Sequence, residues 1–444
     1  MKKVAFYTLG CKVNQYETEA MSELFLNAGY ELADYDSFAD IYVINTCTVT
    51  GMSDRKSRQI IRRAKKYNPN AFVIVAGCYS QVSPDEVLKI EGVNLVLGTK
   101  DRSNIVQLYE QNRELCGISC VDDIMQVHSF DSLFVSTYSD RTRAYIKVQE
   151  GCNQFCSYCK IPYARGPIRS RDFREVMEES QRLADSGFTE ITYVGIHIAS
   201  YGLDTKSEDL ADLLNSANAI RGIKRIRLSS IEPMTLDEAF IRKIKDCDKL
   251  CRHFHLSLQS GCDETLRRMN RKYTTDDYYK IVQGLRQHFP DVAITTDIMV
   301  GFPGETDEEF EKTCAFAEKV AFSGAHIFQY SPREGTPAAD FPNQVDPQVK
   351  EKRSKLISKI CNRTKQEFME RFIGQAAEVL FEQAAGDGYF EGKTDNYQSV
   401  LVKTDEDLSG EYRMVRLDRI KNGAFVGEIV TEDDGNYLHS NNHS

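Results

Sequence analysis

The chain has 444 residues, 41% of them hydrophobic and 27% charged, with a formal net charge of −10. That length suits roughly two to four domains and a core that needs no disulfide staples. The acidic balance excludes a surface that is basic overall, although a local patch for nucleic acid stays open. The apolar opening KVAFYTLG is far too short to cross a bilayer. The expectation is therefore a cytoplasmic protein with no membrane association, and thirteen cysteines in that reducing compartment point to metal or redox chemistry.

Residues 3–10 (KVAFYTLG) read as a strand and ETEAMSELFLNAG as an amphipathic helix. The strand DIYVINT, a basic helix through Arg58 to Lys66, the strand AFVIVAG, a helix over 84–90 and the strand NLVLGT follow. Strands alternating with helices at this spacing predict a parallel α/β sheet domain over residues 1–115. Residues 116–140 lack a period and read as a linker. A second series begins at 141, with strands AYIKVQE, EITYVGI, RIRLSS, HFHLSLQ, AITTDIMVGF and AHIFQYS. Six βα repeats up to residue 345 predict a partial or complete βα barrel. A charged connecting helix is expected over 346–373. Short strands between turns then predict a small all-β barrel over 374–435, with a disordered tail over 436–444.

Cys152, Cys156 and Cys159 form a C-x3-C-x2-C run directly after the first barrel strand, where βα barrels carry their active sites. Iron–sulfur clusters usually take four thiolates, and no fourth follows nearby. Three would leave one iron open, which is the logic of a catalytic site; a zinc site would want a fourth ligand. Cys11, Cys47 and Cys78 are far apart in sequence, yet each ends an apolar strand: YTLGC, VINTC and IVAGC. Strands of a parallel sheet end on one edge, so these three are expected to converge as a second metal site. Cys116, Cys120, Cys247, Cys251, Cys262, Cys314 and Cys361 read as structural.

C-x3-C-x-Tyr-C at the start of a βα barrel resembles the radical-SAM superfamily. The resemblance implies that the open iron of a 4Fe–4S cluster binds S-adenosylmethionine (SAM), whose reductive cleavage gives a 5′-deoxyadenosyl radical. It also places Tyr158 near the adenine. Over essentially the whole chain, the segments LGCKVNQYETE, INTCTVT, AGCYSQ, KVQEGCNQFCSYCKIPYARG, SLQSGCDETLRRMNRKYT, DIMVGFPGET and YSPREGTPA resemble the methylthiotransferase family. That family implies two 4Fe–4S clusters, the second serving the sulfur, and two SAM molecules per product. A low-potential electron donor and a sulfur source are then required. Lys12-Val13, QEGCN and GIHIASYG around His197 resemble the branch acting on N6-threonylcarbamoyladenosine in tRNA. The alternatives are the N6-isopentenyladenosine branch and a non-catalytic iron–sulfur electron carrier or cluster donor. The C-terminal barrel resembles a TRAM module, an RNA-binding appendage, with Arg413, Arg416, Arg419 and Lys421 and with Tyr397 and Tyr412 nearby. The helix from Arg55 to Lys66 offers a further basic face for tRNA.

Polar residues at barrel strand ends are candidates for holding SAM: Glu232, Gln259, Ser260 and Asp297. Gly195, Gly301 and Gly304 would allow close backbone approach. His197 and Arg165 are candidates for substrate contact or for a structural role. No catalytic residue is assigned beyond the clusters.

Overall fold

The computed structural model describes residues 1–49, 51–136 and 142–430. The first domain is a six-stranded parallel sheet in the order β2-β1-β3-β4-β5-β6. Its strands are β1 (Lys3–Thr8), β2 (Glu31–Ala33), β3 (Ile41–Thr46), β4 (Phe72–Gly77), β5 (Leu95–Leu97) and β6 (Ile118–Cys120). Every residue of β3 and β4 is buried, because helices cover both faces of the sheet; that is why IYVINT and FVIVAG are apolar runs rather than alternating ones. Helix α1 (Lys12–Asn27) starts five residues earlier than its apolar period suggests, with Cys11 as its N-cap. The basic helix is α2 (Gly51–Tyr67), and α3 (Cys78–Val82) leaves β4. The stretch read as a linker contains β6, which extends the sheet, and it buries Leu133 and Val135 in the next domain's core.

The second domain holds β7 (Ala144–Glu150), the two-residue β8 (Arg169–Ser170), β9 (Glu190–Gly195), β10 (Arg225–Leu228), β11 (His253–His255), β12 (Ala293–Val300) and β13 (Gly324–Gln329). Parallel ladders join β7 to β9 to β10, and β11 to β12 to β13. Parallel bridges at Ile226↔Leu250 and Ile231↔Leu256 connect the two halves. Among the described residues no ladder closes β13 onto β7, so the barrel is partial. Val13, Tyr16 and Ala20 of α1 belong to this barrel's core, which makes α1 a shared wall between the two domains.

The helix Pro347–Glu370 leads to a closed barrel in the order β14-β15-β16-β18-β17. Its strands are β14 (Ala376–Gly386), β15 (Tyr389–Lys393), β16 (Ser399–Lys403), β17 (Tyr412–Lys421) and β18 (Ala424–Ile429). This barrel covers the N-terminal ends of the βα strands. Arg225 donates to the Glu378 carbonyl (2.8 Å) and Arg227 to the Thr394 and Asp395 carbonyls (2.8 and 2.7 Å), while Arg143 pairs with Glu382. The expected tail lies outside the described residues. No helix among the described residues is long and apolar enough to cross a membrane.

Candidate functional site

The loop after β7 carries Cys152, Cys156 and Cys159. Its path is set by backbone groups on both sides: the Cys152 N–H donates to the Gly166 carbonyl (3.0 Å) and the Cys159 N–H to that of Cys156 (2.9 Å). Gly151 has φ +76°, and a Cβ there would lie 1.9 Å from the Pro167 carbonyl oxygen, so only glycine lets the chain turn out of β7 into this loop. Ser157 ties the loop to segment 268–269 through the Met269 and Arg268 carbonyls (3.0 and 2.8 Å). Arg271 then reaches Cys156 Sγ (3.3 Å) while its other amino group holds Glu232 (2.8 Å) and the Ser257 carbonyl (3.1 Å). Burial pushes the Cys152 thiol up to about 11 and the Cys159 thiol up to about 12, and both lie in the field of Cys156. Iron would have to displace those protons, and the guanidinium at Cys156 offsets part of the resulting negative charge.

Cys11, Cys47 and Cys78 meet at the C-terminal ends of β1, β3 and β4, which are neighbours in the sheet. Gly10 has φ +111°, and a Cβ on it would sit 2.9 Å from Cys47 Cβ and 3.1 Å from its Sγ. The chain can bring Cys11 beside Cys47 only because that atom is missing. Asn14 laces the strand ends by donating to the Leu9 and Thr46 carbonyls (2.7 and 3.0 Å). Burial pushes Cys78 up to about 12 in spite of Arg165, and Cys47 and Cys11 both act on it.

Among the described residues, no three His, Cys, Asp or Glu side chains converge on a point that one metal ion could occupy. Tetrahedral zinc, with its sulfurs about 2.3 Å from a single ion, is a poor fit to such triads; a cluster takes each thiolate on a different iron and wants them wider apart. Each triad offers three thiols, the donor set that a cluster with one open iron would take.

Arg165, six residues beyond Cys159 at the end of the helix Ile161–Arg165, joins the two constellations. Its Nε donates to Cys78 Sγ (3.1 Å), and its amino groups reach Glu17 (2.6 Å), Glu150 (3.0 Å) and Asn14 Oδ1 (2.6 Å). Glu17 also pairs with Arg102 (2.6 Å) and Lys147 (2.9 Å), and Lys147 with Glu150. All five charges are at most 3% exposed. Burial alone would raise the Glu17 carboxyl, but Arg102, Arg165 and Lys147 hold it far below the usual carboxylate range. With every donor engaged in this network, Arg165 is a structural link and not a substrate-contacting group.

The remaining candidates separate clearly. Glu232 faces Arg271 beside the barrel cysteines, and Gln259 sits at φ +68° with its backbone bridging to β12. Gly195 ends β9 against Gln149, whose Oε1 accepts the His197 N–H (2.7 Å). His197 Nε2 is buried and has no hydrogen-bond partner among the described residues, and burial lowers its pKa to about 4, so a neutral imidazole with an open polar atom stands near Arg271. Tyr158 packs with Met269, Phe302 and Tyr330. Ser260 turns away toward Thr313 (3.3 Å), and Gly301 and Gly304 back onto Lys350 and Arg268. Asp297 pairs with His255 (3.1 Å) inside the barrel. Tyr397 and Tyr412 are not surface platforms: Tyr412 lies under Lys224 and Arg225 (4.6 and 4.9 Å to its ring), and Tyr397 enters the βα barrel and stacks on His253 (4.9 Å). Arg416 is spent on Asp418 and Glu428, and Arg413 on Glu411. On α2, Arg55, Arg62 and Lys66 line one open face with Arg58 and Arg63.

Sequence reasoning missed Arg271 and the Glu17–Glu150–Arg102–Lys147 network. The signal for part of it was present: Lys147 and Glu150 are charges inside AYIKVQE, a strand whose every residue is buried. Nothing in the sequence pairs them with Glu17 or Arg102, which come from the other domain.

Comparison with known proteins agrees with these two halves. Residues 146–317 match the family model "Radical SAM superfamily", and residues 3–98 match "Uncharacterized protein family UPF0004". Over 94% of both chains, the protein is 44% identical to the threonylcarbamoyladenosine tRNA methylthiotransferase MtaB of Bacillus subtilis. It is 34% identical to the tRNA-2-methylthio-N(6)-dimethylallyladenosine synthase of Acetivibrio thermocellus, over 95% of this chain and 90% of that one. Among solved structures, the radical SAM methyltransferase TsrM from Kitasatospora setae, with cobalamin and a 4Fe–4S cluster bound, superposes with a TM-score of 0.59. That likeness covers 76% of this chain and 77% of TsrM at 16% identity, and it speaks to the fold alone.

Proposed function

The chain belongs to the radical-SAM tRNA methylthiotransferase family, and from that premise we propose that it methylthiolates C2 of N6-threonylcarbamoyladenosine at position 37 of tRNA, next to the anticodon. The observation that carries the reading is the pair of three-cysteine sets, one at the C-terminal edge of the sheet and one in the loop after β7, with Arg165 donating to Cys78 of the first and to Glu150 just before the second. The family carries two 4Fe–4S clusters and uses SAM. We assign Cys152, Cys156 and Cys159 to the SAM-binding cluster, and Cys11, Cys47 and Cys78 to the second.

When bound, the barrel cluster with SAM supplies hydrogen abstraction from an unactivated carbon and the second cluster supplies the sulfur. The protein's own residues give these groups position and dryness. Arg271 fixes the orientation of Cys156 and holds Glu232 at the mouth of the barrel. His197 offers a neutral nitrogen to the cofactor pocket. The Glu17–Arg165–Glu150 network locks the N-terminal sheet to the barrel, so the two cysteine edges keep one separation while a reactive species is present. Tyr158, Gly195, Gln259 and Asp297 complete the proposed SAM and substrate walls. We place the enzyme in the cytoplasm, supplied by a low-potential electron donor and an external sulfur source, with the basic face of α2 and the C-terminal barrel meeting the tRNA.

Mass spectrometry of nucleosides from bulk tRNA, in cells with and without the gene, tests the reading. Loss of only the methylthio form of threonylcarbamoyladenosine, with its precursor left behind, supports it. Loss of methylthio-isopentenyladenosine instead would move the enzyme to the neighbouring branch. No change in either, together with failure to cleave SAM when reduced, would leave an electron carrier.

A further inference from the structure

The partial barrel contains a cavity of about 650 Å³, within the range of about 300–1,000 Å³ that small-molecule sites occupy. All three domains line it: Lys12 from α1, His253, His255 and Asp297 from the βα strands, and Lys393 and Tyr397 from the C-terminal barrel. Lys12 directly follows Cys11, so this cavity lies within one side chain's reach of the N-terminal cysteine edge.

The charges inside it are unequally matched. Asp297 is taken by His255 (3.1 Å) and Lys393 by Glu391 (3.0 Å). Arg143 and Arg227, over the Tyr397 ring (5.4 and 4.8 Å to its centroid), share Glu190 (3.0 and 2.7 Å). Lys12 forms no ion pair among the described residues; its ammonium stands between the rings of Tyr145 and Tyr397, 5.9 and 5.8 Å from their centroids. Tyr397 is held there by a tight turn at φ +67°, a left-handed conformation rare for a tyrosine and maintained by the Thr394–Gln398 hydrogen bonds. The phenol itself reports the local field. Burial would raise its pKa, yet Lys12, Arg143, Arg227 and Lys393 together lower it. A half-buried cation with no ion pair, in a cavity of this size, wants an anion.

The two substrate types named among the relatives differ in this property. A dimethylallyl group is neutral and apolar, whereas a threonylcarbamoyl group ends in a carboxylate. We propose that Lys12 is a specificity-determining residue whose ammonium pairs with the carboxylate of the threonylcarbamoyl substituent, while the aromatic pair Tyr145 and Tyr397 fixes its position. The inference rests on the proposed function and adds to it the group that reads the substrate.

The test uses the cluster-loaded enzyme and two anticodon stem-loop RNAs, one carrying threonylcarbamoyladenosine and one carrying its methyl ester, with kcat/KM and binding by fluorescence anisotropy as readouts. The wild type should favour the acid by about ten- to hundredfold, the range of a hydrogen bond between charged groups. Lys12→Met should bring the ratio near one through loss on the acid alone, and Lys12→Arg should restore most of it. Iron content and SAM cleavage without RNA should stay at wild-type values, which separates substrate reading from damage to the neighbouring Cys11. A wild-type ratio near one, which requires no variant, overturns the inference while the function stands; so does a Lys12→Met enzyme that keeps the wild-type ratio. Failure of the loaded wild type to modify either RNA removes the function and the inference together.

Discussion

Cys152, Cys156 and Cys159 arise within one loop, whereas Cys11, Cys47 and Cys78 arrive from the ends of three neighbouring parallel strands. The loop depends on local chain geometry and on one guanidinium, Arg271, brought over by segment 268–271. The dispersed set depends on the whole sheet, on a glycine that admits Cys47, and on a five-charge network supplied by two domains. A site written in one segment can be built once its loop is held. A site written across a fold exists only while the fold and its domain interface do.

The sharpest way to break this comparison is to remove one cysteine from each side. Cys156→Ala should reduce SAM cleavage to 5′-deoxyadenosine to background, whereas Cys47→Ala should keep cleavage and lose methylthiolation of RNA. If both variants lost cleavage, the two sets would not divide the chemistry as assigned.

The second expected effect is on the interface. Glu17→Gln removes one anion from a network that already holds three cations, and stranding buried charge in this way costs about 3–5 kcal/mol. A urea midpoint unchanged from the wild type would show the network to be unimportant to stability.

A matching network holds the C-terminal barrel, and there the pH dependence is informative. Glu190 is buried; desolvation alone would raise its carboxyl, but Arg227 and Arg143 hold it below the ordinary range. A carboxylate depressed in the folded state stabilises the protein above its unfolded value, about 4.3, and that contribution is lost as pH falls through the folded value. Glu190→Gln should therefore lower stability at neutral pH by up to about 3 kcal/mol and flatten the acid limb of the stability curve. Parallel acid limbs in the two proteins would contradict this. Smaller still is Gly10→Ala, at about 1–3 kcal/mol for a Cβ forced against Cys47 at positive φ; iron analysis should show the loss confined to the N-terminal cluster.

The same contrast governs what could be read before the structure was known. The C-x3-C-x2-C spacing speaks for itself, and the three strand-end cysteines follow once the sheet is known to be parallel, so both sets were legible. The start of α1 was not, because LGCKVN lacks an apolar period and the helix begins where Cys11 caps it. Neither was the role of Tyr397, which looks like a surface aromatic of a small β-barrel until the turn at 394–398 is seen to aim it into the next domain. Arg271 and Arg102 escaped notice for the same reason. Their partners lie in distant segments, and charge pairing between distant segments leaves no periodic trace in a sequence.

The most direct test of two separate clusters is iron and sulfide analysis of two reconstituted triple variants, Cys11→Ala/Cys47→Ala/Cys78→Ala and Cys152→Ala/Cys156→Ala/Cys159→Ala. With four irons to a cluster, each should retain about half the wild-type iron, and only the first should still cleave SAM. Full iron in either variant, or SAM cleavage by the second, would contradict the assignment of a cluster to each constellation.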